Sequence, residues 1–160
     1  IEPLILTIQA IPVASFVILC LIWISSKNLS ILISFLMVLP VVYRNVLDGI
    51  NNIPRELEDM AKVFKVSRVK KIRYIYLSEV APYLRAACSI SLGLCWKSGI
   101  AAEVIGMPAN SIGEKLYTAK IYLDTPDLFA WTIVIILISI CFQKSFLKLI
   151  DLLLKRLEIS

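Results

Sequence analysis

Four long apolar runs constrain this chain more than any other feature of its sequence. Each has about 20 residues, and a helix of that length crosses about 30 Å of hydrocarbon at about 1.5 Å per residue. The runs cover about residues 4–24, 29–46, 81–105 and 128–150. Hydrophobic residues make up 59% of the 160 residues, against roughly 45–50% in soluble domains. The pattern predicts an all-α, polytopic bundle with four spanning helices.

Lysine and arginine positions indicate which side of the membrane each connecting segment occupies. Nine lie in or beside the segment between the second and third runs, four lie in the C-terminal tail, and three lie in the other two loops. By the positive-inside rule, we expect residues 47–80 and the C-terminus to be cytoplasmic. Topology therefore explains the net charge of +5, and we expect no nucleic-acid partner. No basic segment with a cleavage site precedes the first run, so no signal peptide is predicted.

The residue types that enzymatic or metal chemistry needs are sparse. The chain has no histidine, and its cysteines lie inside the apolar runs without a CxxC spacing, where a thiol packs as a small apolar group. No glycine-rich phosphate-binding motif is present. We therefore predict no catalytic, cofactor-binding or metal-binding residue in this chain. The four cysteines are Cys20, Cys88, Cys95 and Cys141.

The polar segment between the second and third runs contains two helical patterns. Leu57, Met60, Ala61 and Phe64 follow the spacing of one helical face. A second amphipathic helix is predicted to begin after Ser67, a suitable N-cap residue. Two such helices side by side form a docking element. Their periodicity equally allows a pair of interfacial helices lying on anionic lipid.

The same segment resembles the EAA loop of binding-protein-dependent ABC importer permeases. In that motif a Glu-Ala-Ala triplet is followed by a glycine and then by Ile-x-Leu-Pro. Here the triplet is Asp59-Met60-Ala61, Lys65 stands at the glycine, and Ile75-Tyr76-Leu77 is followed by Ser78 instead of proline. Residues outside the loop are similar to the nitrate/sulfonate/taurine branch of the family. These are Ile11-Pro12, Trp23, Pro40, Gly49, Trp96, Ala101-Ala102-Glu103, Ile105-Gly106, Ile112-Gly113 and Phe129-Ala130.

The resemblance implies the type I ABC importer permease fold, a bundle of about six spanning helices that satisfy their backbone hydrogen bonds internally. The four runs would be the last four, so we expect the first pair to be missing from this sequence. Residues 1–160 would form a single transmembrane domain with a cytoplasmic coupling loop at about residues 50–79. The subunit would work in a prokaryotic inner or plasma membrane as a homodimer. Its other partners would be an extracytoplasmic solute-binding protein and an ATPase subunit that holds ATP and magnesium.

The resemblance also assigns roles within the loop. Its first helix would sit in a groove of the ATPase subunit, with Asp59 as a charged anchor. Glycine reaches positive φ without steric cost, so Lys65 at that position implies either a different turn or one continuous helix. The apolar contacts would come from Leu57, Met60, Ala61 and Phe64.

Charged residues inside the third run are candidates for the translocation path. Arg85 can extend to the cytoplasmic interface, whereas Lys97 lies about 18 Å further along the helix axis. Glu103 is poorly placed to pair with Lys97 on the same helix, so each needs a partner elsewhere. Each of the two either lines the translocation path or forms a structural ion pair with another helix or protomer, and Lys97 in the path would suit a small anion.

The outer segment between the third and fourth runs is predicted to be ordered. Ser111 and Glu114 form a capping-box pattern that begins a short helix ending at about Lys120. Pro12 and Pro40 are expected to kink their spans. Two other classes of function remain open on the sequence: a secondary transporter or channel fragment, and a membrane-anchored assembly protein without transport activity.

Overall fold

The computed structural model describes the backbone of residues 2–159 and the side chains of residues 2–155. Within that range the chain forms eight α-helices and one π-helical turn, which joins two of the helices at Ile72–Tyr76. The α-helices are α1 (Glu2–Ala10), α2 (Val13–Cys20), α3 (Ser26–Asn51), α4 (Arg55–Val63), α5 (Arg68–Lys71), α6 (Leu77–Gly106), α7 (Ile112–Ile121) and α8 (Thr125–Ile159).

Three helices are long and apolar enough to cross a membrane, and α1 with α2 would make a fourth if this bent pair is one span. The three are α3, the continuous helix Arg68–Gly106, and α8 as far as Lys155. A kink was predicted at Pro12, and the bend between α1 and α2 there is 98°. The first apolar run is therefore not one straight helix. Proline has no N–H to continue the ladder, and Pro12 is instead the extended N-cap of α2.

The spanning helices extend beyond the apolar runs that predicted them. α3 continues through Pro40 and past residue 46 to Asn51, and the third span begins at Arg68 rather than near residue 81. An apolar run records the part of a helix that lies in hydrocarbon, whereas the backbone ladder continues into polar surroundings as long as no residue breaks it.

Small residues bring α3 and α6 together as an antiparallel pair. A Cβ on Gly99 would lie 2.9 Å from the Ser34 hydroxyl oxygen, and one on Gly106 would lie 2.8 Å from a Leu29 methyl carbon. The Ser34 hydroxyl donates to the Cys95 carbonyl at 3.1 Å. Small residues and interhelical hydrogen bonds replace hydrophobic burial as the association force in lipid. This pair is the framework on which the other helices pack.

The remaining helices pack around that pair. A buried cluster joins α2 to α3 and α6 near the α7 end of the bundle, and its members are Val17, Cys20, Leu29, Ile33 and Ala102. α8 contacts α6 through Trp96 and Phe142, whose rings meet edge to face at 6.1 Å. The apolar window of α8 has no buried residue within the described chain. Apart from the side chains that contact α6, such as Phe142, the apolar side chains of α8 are thus left to face lipid or other subunits.

Candidate functional site

The first loop helix, α4, begins directly after Pro54 and carries acidic residues in its first turn and Lys62 in its last turn. This charge order suits the helix dipole. Asp59 and Lys62, one turn apart, form an exposed ion pair of 2.9 Å. The pKa of Lys62 is raised because Asp59 accepts a hydrogen bond from its ammonium group. The order of its charges and the Asp59–Lys62 pair both favour α4 as a separate short helix.

The end of α4 is a Schellman turn centred on Lys65. The Val66 N–H donates to the Ala61 carbonyl at 2.9 Å, and the Lys65 N–H donates to the Lys62 carbonyl at 3.1 Å. Lys65 has φ of +50°, in the left-handed region that favours glycine. Of the two alternatives predicted for this position, one continuous helix is wrong. Lysine adopts the left-handed turn that glycine would make at lower cost.

Glu58 joins α4 to the membrane-crossing helix. Its carboxylate accepts hydrogen bonds from the Tyr76 hydroxyl at 2.7 Å and the Lys71 ammonium at 3.3 Å. The pKa of Glu58 is lowered, first by the Tyr76 hydrogen bond and then by Lys71. Ile75 is buried beside this cluster. The sequence pattern did not single out Glu58, since it lies just outside the motif triplet and its partners are 13 and 18 residues away.

The residues of the predicted apolar face of α4 point in two directions, some toward this chain and some toward its surroundings. Ala61 is buried, with 4% of its surface exposed, and Leu57 is half-buried, so both face this chain. Met60 and Phe64 are exposed at 47% and 74%, and Val63, which the pattern did not identify, joins them at 76%. Asp59 and Lys65 are also exposed. Met60, Val63 and Phe64 share one face and are called the docking patch below.

Lys97 lines an open groove of about 530 Å³ between α6 and α8. Its side chain is exposed, and none of the described carboxylates forms an ion pair with it. Ser139 and Gln143 of α8 also line this groove, and the Gln143 amide donates to the Ser89 carbonyl at 3.1 Å. The groove thus combines one cation with neutral polar groups in an otherwise apolar region.

Glu103 contacts the start of α7 rather than Lys97. Its half-buried carboxylate accepts the backbone N–H of Gly113 at 3.1 Å, at the start of α7. The Ser111 hydroxyl accepts from the Glu114 N–H at 3.0 Å, which confirms half of the predicted capping box. The Glu114 carboxylate bonds the N–H of Asn110 instead of that of Ser111. The Glu103 partner within this chain is a backbone N–H, not a cation.

Arg85 and Asp151 form a bidentate ion pair between α6 and α8. The Arg85 guanidinium approaches the two Asp151 oxygens at 2.5 and 3.1 Å. Both side chains are partly exposed. Arg85 was predicted to extend to the cytoplasmic interface, and the structure adds a carboxylate partner 66 residues away in the chain that the sequence did not indicate.

Comparison with known proteins identifies this set of spans and loop. Residues 1–159 match the model of the family described as binding-protein-dependent transport system inner membrane component. The chain belongs to this family. The family is one of transport permeases, and the resemblance drawn from the loop and span residues is confirmed.

Three relatives illustrate the relationship. The nitrate import permease protein NrtB of Synechococcus elongatus is 29% identical over 105 residues, 65% of this chain and 38% of the relative. A probable ABC transporter permease protein of Haemophilus influenzae is 26% identical over 159 residues, 96% of this chain and 61% of the relative. The putative aliphatic sulfonates transport permease protein SsuC of Escherichia coli is 34% identical over 85 residues, 52% and 32%. The chain spans less than two thirds of each relative's length.

Proposed function

We propose that this permease forms the solute path of an ATP-driven importer and that its loop couples the path to a separate ATPase subunit, which holds ATP and magnesium. The observation that carries the proposal is that Glu58 bonds α4 to Lys71 and Tyr76, near the start of the 39-residue helix Arg68–Gly106. An exposed apolar patch lies on a helix that is bonded to a span well beyond its hydrocarbon-crossing part.

The length of the third span supports a position of α4 outside the hydrocarbon. Arg68–Gly106 has 39 residues, or about 58 Å of helix. The 22 residues from Arg85 to Gly106 already cover about 33 Å, slightly more than the thickness of the hydrocarbon. Lys71 and Tyr76, which hold α4 through Glu58, lie about 14–21 Å further out along the axis. That distance exceeds the headgroup layer, so a protein partner explains the docking patch better than a helix pair lying on lipid.

The docking patch has the composition of a helix that binds in a groove. Its apolar side chains lie beside charged residues, Asp59, Lys62 and Lys65, all exposed. An apolar centre with a polar rim is typical of protein interfaces, and helix-in-groove binding uses anchors at this spacing. Asp59, Met60, Phe64 and Lys65 are therefore proposed as contacts of the ATPase. Leu57 and Ala61 support α4 from the inward side.

The solute is proposed to be a small anion or a related small molecule. Lys97 supports this because a cation inside a span usually faces a wet path or a charged partner. The open side of the Lys97 groove would be closed by a second copy of the permease, in a homodimer. A solute-binding protein would dock at the α7 end, outside the cell. By the positive-inside rule, the loop and the C-terminus would face the cytoplasm of a prokaryotic cell whose inner membrane the chain crosses several times.

Co-purification of the full-length permease with a candidate ATPase subunit tests the proposal. Met60→Glu combined with Phe64→Glu places two charges in the docking patch, and we expect the ATPase to be lost while the permease stays monodisperse in detergent. The matched control is Tyr122→Glu, which changes an aromatic side chain of similar exposure, 79%, at the other end of the bundle. Failure of the wild type to retain the ATPase, or its retention by the double variant, would overturn the proposal.

A further inference from the structure

The Glu58 carboxylate bridges both ends of the π-helical turn. Its Oε1 atom accepts from Lys71, the residue just before the turn, and from Tyr76, the last residue within it. The Lys71 ammonium also lies 5.3 Å from the Tyr76 ring centroid. The three side chains therefore form one cluster around a single carboxylate oxygen.

A π-helical turn is a local irregularity in a long helix. Its hydrogen bonds span one more residue than those of an α-helix, and such turns occur mostly as short insertions, frequently at functional sites. If the turn relaxed to α-helical geometry, every residue before Ile72 would rotate about the helix axis relative to α6, by about 100° for a one-residue shift. The loop, and α4 with it, would then change orientation relative to the span. A group that binds both ends of the turn opposes this change.

We propose that Glu58 is a positioning residue that locks the π-helical turn, so that α4 and α6 move as one rigid body when the ATPase moves. This rests on the proposed function and adds the element that transmits the motion. Docking uses the outward face of α4, whereas transmission uses the inward carboxylate. The two roles can therefore be separated by mutation.

The lowered pKa of Glu58 agrees with a carboxylate that is ionised and well bonded in the folded loop. Its side chain and that of Lys71 are exposed at only 35% and 26%. Asp59, its neighbour, is instead 69% exposed and pairs within its own helix. The Glu58–Lys71 pair is thus less exposed to solvent than the Asp59–Lys62 pair. This is expected for a contact that must persist when the loop moves.

The experiment compares Tyr76→Phe and Glu58→Gln with the wild type in the complete permease–ATPase complex. Conformational coupling is read from a cysteine introduced at Ser139 in the Lys97 groove, in a background without the four native cysteines. The probe is a cationic methanethiosulfonate reagent, added with and without ATP plus vanadate. Co-purification of the ATPase and its rate of ATP hydrolysis are measured on the same samples. Tyr122→Phe, which removes an exposed hydroxyl elsewhere, is the control.

We expect both variants to retain the ATPase and its hydrolysis, while the nucleotide-dependent change in labelling rate falls about fivefold or more. Combining Glu58→Gln with Tyr76→Phe should reduce the nucleotide-dependent change in labelling no further than either single substitution does, because the two residues act as a unit. Full nucleotide response in Tyr76→Phe, or loss of ATPase binding in it, would overturn the inference. A wild type that does not bind the ATPase would overturn the proposed function instead.

Discussion

The carboxylate of Glu103 accepts the backbone N–H of Gly113 at 3.1 Å, and the same contact leaves no space for a side chain at residue 113. A Cβ there would overlap the Cβ and carbonyl carbon of Glu103 and the backbone nitrogen of Val104. The start of α7 thus packs directly on the backbone of α6. The charge at Glu103 and the glycine at 113 are two parts of one junction.

Gly113→Ala should strongly destabilise the permease. The overlap with α6 backbone cannot be relieved by a side-chain rotation, so α7 must shift and the Glu103 bond must lengthen. We expect a loss of about 2–3 kcal/mol and a fall in Tm of roughly 5 °C or more in detergent. Gly93→Ala is the matched control, because a Cβ there meets nothing within 4 Å. Equal melting temperatures for the two variants would contradict this view of the junction.

Lys65→Gly should stabilise the loop. The left-handed conformation of Lys65, with φ of +50°, costs a residue with a Cβ roughly 1–2 kcal/mol that glycine avoids. Part of this gain is offset because glycine has more freedom in the unfolded chain. Lys62→Gly is the contrasting variant, since it places glycine inside α4 and should destabilise by about 1 kcal/mol. Hydrogen exchange of residues 55–67 measures both, and slower exchange in Lys62→Gly would refute the assignment.

Arg85→Asp should lower the Tm by placing two carboxylates together between α6 and α8. Exchanging the pair, Arg85→Asp with Asp151→Arg, restores opposite charges and should recover at least half of the loss, provided the bidentate geometry can re-form. Thermal unfolding of the purified permease in detergent gives both values. If the exchanged variant melts no higher than Arg85→Asp, the ion pair does not hold the two helices together.

The Glu58 cluster should loosen at acid pH. Its pKa is lowered from 4.5 in the folded loop by Tyr76 and Lys71, and a lowered carboxyl pKa contributes stability that is present above the unfolded value and lost as pH falls through the folded one. Lys62, whose pKa is raised by Asp59, remains charged over this window. We expect hydrogen exchange of residues 55–76, corrected for intrinsic rates, to accelerate below about pH 4.5. Glu58→Gln should lack this acceleration, and an identical acid response in that variant would exclude Glu58 as its source.

Much of this fold follows from apolar length alone. The runs at 29–46, 81–105 and 128–150 each lie within one long helix, because a helix that crosses lipid needs about 20 apolar residues in sequence. Their true ends could not be predicted, since the polar continuations at Asn51 and Arg68 carry no lipid signal. The sequence also did not indicate how sharp the bend at Pro12 would be. Proline removes one backbone hydrogen bond. The direction of the chain after the bend is then set by the packing of α2 against α3 and α6.

The candidate site was harder to predict than the fold. A helical stripe contains Leu57, Met60, Ala61 and Phe64, but a stripe does not indicate which of its edges faces inward. That choice depends on Glu58 bonding Tyr76, a contact between residues 18 positions apart. The Arg85 partner, Asp151, is likewise distant in sequence. Pairs that form only through tertiary packing leave no local pattern.

Lys97 should be needed for anion transport but not for assembly. In proteoliposomes that contain the complete importer, nitrate and bicarbonate serve as probes, because the names of two relatives refer to nitrate import and to bicarbonate transport. Lys97→Met removes the only cation that lines the described groove, so uptake of a transported anion should fall about tenfold or more, whereas Lys97→Arg should keep most of it.

Two further measurements separate a path role of Lys97 from a structural role. Ser139→Ala, in the same groove, controls for the loss of a neutral polar group and should change uptake little. ATPase co-purification and Tm should be unchanged in Lys97→Met if the side chain contacts solute, because an exposed lysine without an ion-pair partner among the described residues stabilises little. A lower Tm with normal uptake per folded complex would instead assign Lys97 to a structural pair with another protomer.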